Sequence, residues 1–452
     1  MIALALAGAL SLGGACVDGL CNARTLDPWF ARLARLGPGA GGRPVHILQI
    51  GDSHTAGDAI TGGWRDLLQA RYGSGGRGVL PPGRPYDGYL TRGVQVTMSP
   101  GWRIAADFGA GWSSPSPPLG LSGFSLTSQA DGATMTLTAQ PEELFDRFTV
   151  CAIARPGGGN LTLRAGVDSV RFDLGSATER PECRTMKLAQ PVANADITTS
   201  DGPVTVTSWA TFRDAGGVTV SNLGVVGSQL VHFSRTDDAV LGEELRAYQP
   251  DLIVIAFGTN EGFAPRFTTF EYEIILRTQI GRIRRLAGNV PILLLGAPDA
   301  LSRRAEMRSN AAGVTSEACG GAAAAPVVTT APESGIAGVM ARLRESLGMD
   351  TTPAAPPSPV PEPAVAASSS RALFPPAALK AVRDVQRRVA QSLNVAFWDW
   401  EARMGGRCTA DRWVHATPPL MRGDYVHYTS AGGREIARRL QADLDKVAAG
   451  AR

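Results

Sequence analysis

Residues 45–53 read Val45-His46-Ile47-Leu48-Gln49-Ile50-Gly51-Asp52-Ser53. The run 45–50 is apolar and β-branched enough for a buried strand, and Gly51-Asp52-Ser53 breaks it. Beyond the break, Trp64, Leu67, Leu68 and Tyr72 recur at helical spacing. Working outward, residues 251–257 (DLIVIAF) predict a second buried strand. A helix over 268–287 and a strand over 291–295 follow. A helix over 376–393, a strand over 394–398 and a last helix from Ser430 to Val447 complete the pattern. The last helix puts Ile436, Leu440, Leu444 and Val447 on one face. Strand–helix alternation of this kind predicts an α/β fold, a parallel sheet covered on both faces.

Residues 84–220 read differently. Runs such as TMTLTA, RFTVCAIA, NLTLRAG and VTVTSWATF alternate at period two between Gly, Pro and Asp turns, which predicts an inserted antiparallel β-sandwich. The α/β domain is then in three parts, 40–83, 221–310 and 372–450. Residues 311–371 are rich in Ala, Pro, Ser and Thr, with six prolines between Pro353 and Pro363. Such a stretch cannot bury enough apolar surface to offset its ordering entropy, so a disordered loop is expected, with room for a short helix at 336–347.

The charge balance is 44 Lys+Arg against 41 Asp+Glu, a net +3, which lacks the concentrated basic surface that nucleic acid requires. Composition also excludes a collagen, a coiled coil and a polytopic membrane protein. Residues 2–12 (IALALAGALSL) have the length of a signal-peptide core and are too short to span a bilayer. Cleavage after Ala15 is expected, giving a 1–15 signal peptide, although no Lys or Arg precedes the run; a buried N-terminal segment is the alternative. Cleavage there leaves Cys16 first, the position of a lipid anchor in bacterial lipoproteins. An exported protein follows, periplasmic or outer-membrane-associated, with no transmembrane domain. The six cysteines show no zinc-ligand spacing. Export favours disulfides, with Cys151–Cys183 first and Cys319–Cys408 second; free buried thiols are the alternative.

Ser53 stands where a buried strand turns into a helix, near amides that favour negative charge. A serine hydroxyl needs a base to become a nucleophile. Of His46, His54, His232, His415 and His427, the first lies inside a strand, the second points away from its neighbour's hydroxyl, and the third sits on a helix. His427 is preferred and His415 held in reserve. Asp424, three residues before His427, is spaced to take the imidazole Nδ1–H in a turn and fix its tautomer. Imidazole, at a pKa of about 6.5, suits a general base. Trp102, Trp112 and Trp209 are candidates for stacking on sugars, with core packing the commoner fate. Arg282-Ile283-Arg284-Arg285 reads as a solvated helix face.

Four short blocks then occur in a fixed order: Gly51-Asp52-Ser53, Gly224-Val225-Val226-Gly227, Gly258-Thr259-Asn260-Glu261 and Asp424-Tyr425-Val426-His427. In this the sequence resembles the SGNH (GDSL-type) hydrolases. The resemblance implies a three-layer flavodoxin-like domain, with Ser53 and His427 catalytic and Asp424 orienting the histidine. The Ser53 and Gly227 amides and the Asn260 side chain would form the oxyanion hole. Two departures, His54 in place of Leu and Glu261 in place of Asp, resemble the bacterial branch acting on O-acetylated peptidoglycan. So do Phe397-Trp398-Asp399-Trp400 and Met404-Gly405-Gly406. That branch carries an inserted jelly-roll resembling a carbohydrate-binding module, and its chemistry calls for neither metal nor cofactor. The expected function is a periplasmic serine O-acetylesterase whose partner is an acetylated polysaccharide, peptidoglycan first. An O-acetyltransferase, an esterase for another exported polysaccharide such as cellulose, and a glycan-binding protein with a disabled hydrolase domain are the alternatives.

Overall fold

Residues 16, 18–37, 41–89, 91–113, 116–310, 313–320 and 372–450 are described by a computed structural model of the protein. The signal peptide expected at 1–15 lies outside the described residues, as do the short helix expected at 336–347 and all of the loop expected at 311–371 except 313–320.

One six-stranded sheet organises the α/β part. Its order is Leu20–Cys21, Ala396–Trp398, Ile292–Leu295, Leu252–Ala256, Val45–Gly51 and Val218–Gly224. All neighbours run parallel except the two-residue edge strand Leu20–Cys21, which is antiparallel. Alternate side chains go to opposite faces. Leu48, Ile50, Ile253 and Ile255 join one core, with the helices Asp238–Tyr248, Thr269–Ala287 and Ala377–Ser392. Ile47, Leu252 and Val254 join the other, with Asp27–Ala34, Ala59–Tyr72 and Ser430–Gly450. The period-two pattern of a strand thus feeds two apolar layers, which is why these strands read as unbroken apolar runs. Two polar residues inside Val45–Gly51 bond where they lie, although Gln49 Oε1 is left without a partner among the described residues. His46 bonds the Tyr248 carbonyl (3.0 Å) and Ser221 Oγ (2.8 Å), and Gln49 Nε2 donates to Thr55 Oγ1 (2.9 Å).

Between Tyr72 and Val218 the chain builds two antiparallel sheets, one of five strands and one of six. Leu137, Leu163 and Ile197 of the first and Phe148, Val150, Val206 and Trp209 of the second share one core cluster, so the sheets pack face to face. The larger sheet rests on the helix Asp238–Tyr248. There the buried Glu244 carboxylate accepts from Leu121 N (2.7 Å), Thr207 Oγ1 (2.7 Å) and Ser208 Oγ.

All six cysteines are paired: Cys16–Cys21, Cys151–Cys183 and Cys319–Cys408. The two expected pairs are present, and the first was not foreseen. The Cys16 sulfur that a lipid anchor would use is engaged in that bond. Three disulfides fit an oxidising, exported environment. Among the described residues no helix is long and apolar enough to cross a membrane. One surface assignment is corrected: Arg282 is 7% exposed. Its guanidinium binds Asp238, the Phe233 and Thr236 carbonyls and Thr236 Oγ1, because it faces the turn before Asp238–Tyr248 rather than water.

Candidate active site

The site stands at the carboxyl ends of the parallel strands, where ligands bind in open α/β sheets. Strand Val45–Gly51 ends in a turn whose Asp52 side chain accepts from His54 N (2.9 Å), capping the short helix Ser53–Ala56. Gly51 is required sterically: a Cβ there would lie 2.5 Å from the Ala256 carbonyl oxygen of the neighbouring strand. The chain can therefore turn hard against the sheet and lift Ser53 out of it.

Ser53 Oγ lies 2.9 Å from His427 Nε2, and His427 Nδ1 lies 2.8 Å from Asp424 Oδ2. The carboxylate can only accept, so in the neutral ring Nδ1 carries the proton and Nε2 is the acceptor for the serine hydroxyl. The other Asp424 oxygen accepts from Val426 N and His427 N, both 2.9 Å. Burial pushes the Asp424 carboxyl up, but the His427 ring and these two amides outweigh it and hold it down at about 2. The turn is strained: Tyr425 has φ +61°, a region that bulky residues avoid.

Gly227 follows strand Val218–Gly224 with φ +78°, and a Cβ there would lie 2.9 Å from the Phe108 ring, so only glycine fits. Asn260, on the short helix after strand Leu252–Ala256, donates Nδ2 to the Ser228 carbonyl (2.9 Å), and its own carbonyl accepts from Gln229 Nε2 (3.1 Å). An amide nitrogen has two hydrogens, and this bond uses one. Glu261 Oε1 accepts from Leu230 N (2.7 Å), a further tie between the two loops. No backbone bond among the described residues takes the N–H of Ser53 or Gly227. The geometry therefore joins a hydroxyl, an imidazole and a carboxylate in line, beside a loop pair with amide hydrogens to give. That set can run nucleophilic attack on a carbonyl.

Three of the remaining histidines stand elsewhere. His46 is buried in its strand, and burial holds it down at about 4. His232 stacks on Phe108 at 4.4 Å and accepts from Gln229 N (3.0 Å). His415, the reserve base, is exposed and bonded to the Asp411 carbonyl (2.8 Å), apart from Ser53. His54, set aside on sequence, faces the site: its Nε2 lies 2.9 Å from the Val426 carbonyl oxygen, beside His427. Sequence reasoning also missed Tyr86, which lines the Ser53–His427 pocket with Ala56, Ile60, Val226 and Tyr428. Of the three tryptophans between Tyr72 and Val218, Trp209 is fully buried and Trp102 partly so. Only Trp112 is exposed, under the Arg235 guanidinium at 4.3 Å. Among the described residues no cluster of His, Cys, Asp and Glu side chains could hold a metal ion.

A family model described as GDSL-like lipase/acylhydrolase matches residues 197–434, more than half of the chain. The match takes in Gly227, Asn260, Asp424 and His427; Ser53 lies before it. No curated protein matches the sequence. Among solved structures, one described as a peptidoglycan O-acetylesterase in action superposes with a TM-score of 0.67 at 23% identity, covering 94% of this chain and 96% of that one. An acetyl xylan esterase is similar over 50% of this chain and 80% of its own, at 13% identity and a TM-score of 0.27. A family two carbohydrate esterase from Clostridium thermocellum is similar over 38% and 74%, at 12% identity and a TM-score of 0.16. The first likeness shows a shared fold, and the other two carry no weight at those scores.

Proposed function

The chain belongs to the GDSL-like lipase/acylhydrolase family and is a carboxylic ester hydrolase; from that premise we propose that it removes O-acetyl groups from an exported bacterial polysaccharide, peptidoglycan first. The observation that carries this reading is the hydrogen-bonded line Ser53–His427–Asp424. His427 Nε2 takes the hydroxyl proton as Ser53 Oγ attacks the acetyl carbonyl carbon. The Ser53 and Gly227 amides and the Asn260 Nδ2 hydrogen stabilise the oxyanion. The C–O bond to the sugar then breaks, and the sugar oxygen leaves with the proton from His427. Water, deprotonated by His427, cleaves the acetyl-enzyme, and acetate departs.

The preference for peptidoglycan rests on the shared fold with an enzyme described as acting on it, over nearly the whole of both chains. The pocket beside Ser53 has Ala56, Ile60, Val226 and the Tyr86 ring among its lining residues, apolar surface that suits a methyl group. We take residues 84–220 as a carbohydrate-binding-module-like jelly-roll that shapes this cleft, and the protein as periplasmic or outer-membrane-associated.

Acetate release from O-acetylated peptidoglycan, measured against acetylated xylan, acetylated cellulose and an aryl acetate, tests the reading. Ser53→Ala should lower release by about 10⁴-fold or more while the protein stays folded. Release from the aryl ester alone would defeat the substrate and leave the esterase.

A further inference from the structure

His54 is buried next to the site, 6% exposed, and its ring faces a carbonyl and a carboxylate, which can only accept hydrogen bonds, and the Thr259 hydroxyl, which can donate or accept. Nε2 lies 2.9 Å from the Val426 carbonyl oxygen, so that nitrogen carries a proton. Nδ1 lies 3.3 Å from Asp52 Oδ1, nearer than Thr259 Oγ1 at 3.4 Å. A bare Nδ1 lone pair could accept from Thr259 but would also face the carboxylate, which is repulsive, whereas a second proton turns the Asp52 contact into an ion pair. The rest of the ring is enclosed by Trp400 (5.5 Å between centroids), Tyr428 (5.4 Å) and His427 (5.5 Å).

From this geometry we infer that His54 is a positioning residue: an imidazolium clamped between Asp52 and the Val426 carbonyl, it holds the loop bearing Asp424 and His427 against Ser53. The inference rests on the esterase reading for its effect on turnover and goes beyond it by giving a role to a residue outside the proposed triad. Asp52 joins the two ends of the device. It caps the helix that starts at Ser53 and at the same time lies 3.3 Å from Nδ1 of the ring that grips the opposite loop. Nucleophile and base are thereby referred to one buried carboxylate.

Burial alone would lower the His54 pKa. The hydrogen bond and charge of Asp52, the Val426 carbonyl and the Asp424 charge outweigh it and hold the ring above its ordinary value. The titratable groups around it are Asp52 on its own turn, Asp424, His427 and Tyr428 on the closing loop, and Glu261 on the segment after strand Leu252–Ala256.

Two variants separate grip from charge. His54→Leu, which restores the residue usual in the wider family, removes both. His54→Gln keeps an N–H able to reach Val426 and removes the charge. With an aryl acetate, His54→Leu should lose on the order of 10- to 10²-fold in kcat with KM little changed, and His54→Gln should recover much of that loss. Independently of turnover, ¹⁵N spectra of histidine-labelled protein, with the His54 signal assigned by its absence in His54→Gln, should show both ring nitrogens protonated at pH 7. A neutral His54 ring at that pH, or a His54→Leu enzyme with the wild-type kcat, overturns the inference. Wild-type protein that cleaves no ester at all would instead sink the function reading, while the spectra would still decide the state of the ring.

Discussion

Asp424 keeps a permanent anion at the far end of the Ser53–His427 line, because the ring and two amides of its own turn hold its pKa at about 2. Asp424→Asn can keep the amide bonds through its carbonyl oxygen. Its NH₂, however, would face His427 Nδ1 and favour the tautomer with the proton on Nε2, pointing at the serine. Turnover of an aryl acetate should then fall on the order of 10³- to 10⁴-fold in kcat, with KM nearly unchanged. A loss below tenfold would mean that the ring is oriented without the carboxylate. Glu261 behaves oppositely. It is 5% exposed, one of its oxygens has no partner, and burial pushes it up to about 7. An acid raised in the folded state binds its proton there while the unfolded chain has released it. Its contribution is therefore full below about pH 4.5 and is lost as pH climbs toward 7. Glu261→Gln keeps the acceptor for Leu230 N and removes that penalty. Relative to wild type, the variant should gain on the order of 1–3 kcal/mol between pH 5 and pH 8, read from urea midpoints at the two values. An equal difference at both would show that Glu261 ionises freely.

Helix Ala59–Tyr72 is fastened to its surroundings by a buried ionic knot. Asp58, fully buried at its start, accepts from Thr61 Oγ1 (2.6 Å), Arg65 Nη2 (2.8 Å), Arg77 Nη2 (3.3 Å) and Arg92 N (2.9 Å). Arg77 also reaches Asn222 and Arg65 the Val220 carbonyl, both on strand Val218–Gly224. One carboxylate thus joins the helix after Ser53, the lead into the antiparallel sheets and the strand that returns from them. Burial pushes Asp58 up, but Arg65 and Arg77 outweigh it and hold it at about 2. Asp58→Ala strands two buried cations and should cost about 3–5 kcal/mol at pH 7, measured by urea unfolding. A carboxyl lowered in the folded state gives its stability above about pH 4 and loses it as pH falls toward 2, so the gap between wild type and variant should close over that range. The parallel strands could be read in the sequence because both their faces are apolar. The knot could not, since Asp58, Arg65 and Arg77 are spaced like ordinary surface charges. Arg282 misled for the same reason. The strand Leu20–Cys21 has only two residues and carries no period. Sequence sets His54 aside because a neighbour on a helix should point away from the Ser53 hydroxyl, but it cannot show that the Val426 carbonyl lies against its ring.

At the scale of the molecule, the SGNH blocks converge because the sheet brings the carboxyl ends of Val45–Gly51, Val218–Gly224 and Leu252–Ala256 side by side, and the antiparallel sheets are accommodated between the first two. The last block reaches the site from the C-terminal part. A further staple there is Cys319–Cys408, which closes 89 residues and anchors the segment 313–320 beside helix Thr409–Val414. Cys151–Cys183 closes 32 residues between paired strands, and Cys16–Cys21 closes 5. If a disulfide acts mainly by restricting the unfolded chain, its contribution grows with the logarithm of the loop. The expected values are then about 4–5, 3–4 and 2 kcal/mol in that order. Replacing each pair by alanines should rank the losses in unfolding free energy the same way. The Cys319/Cys408 variant should in addition lose ester hydrolysis at a lower temperature than the Cys151/Cys183 variant, because it alone frees chain next to the segment that presents His427. If the 32-residue pair proved the costlier, packing around the strand pair, rather than chain entropy, would be what that bond protects.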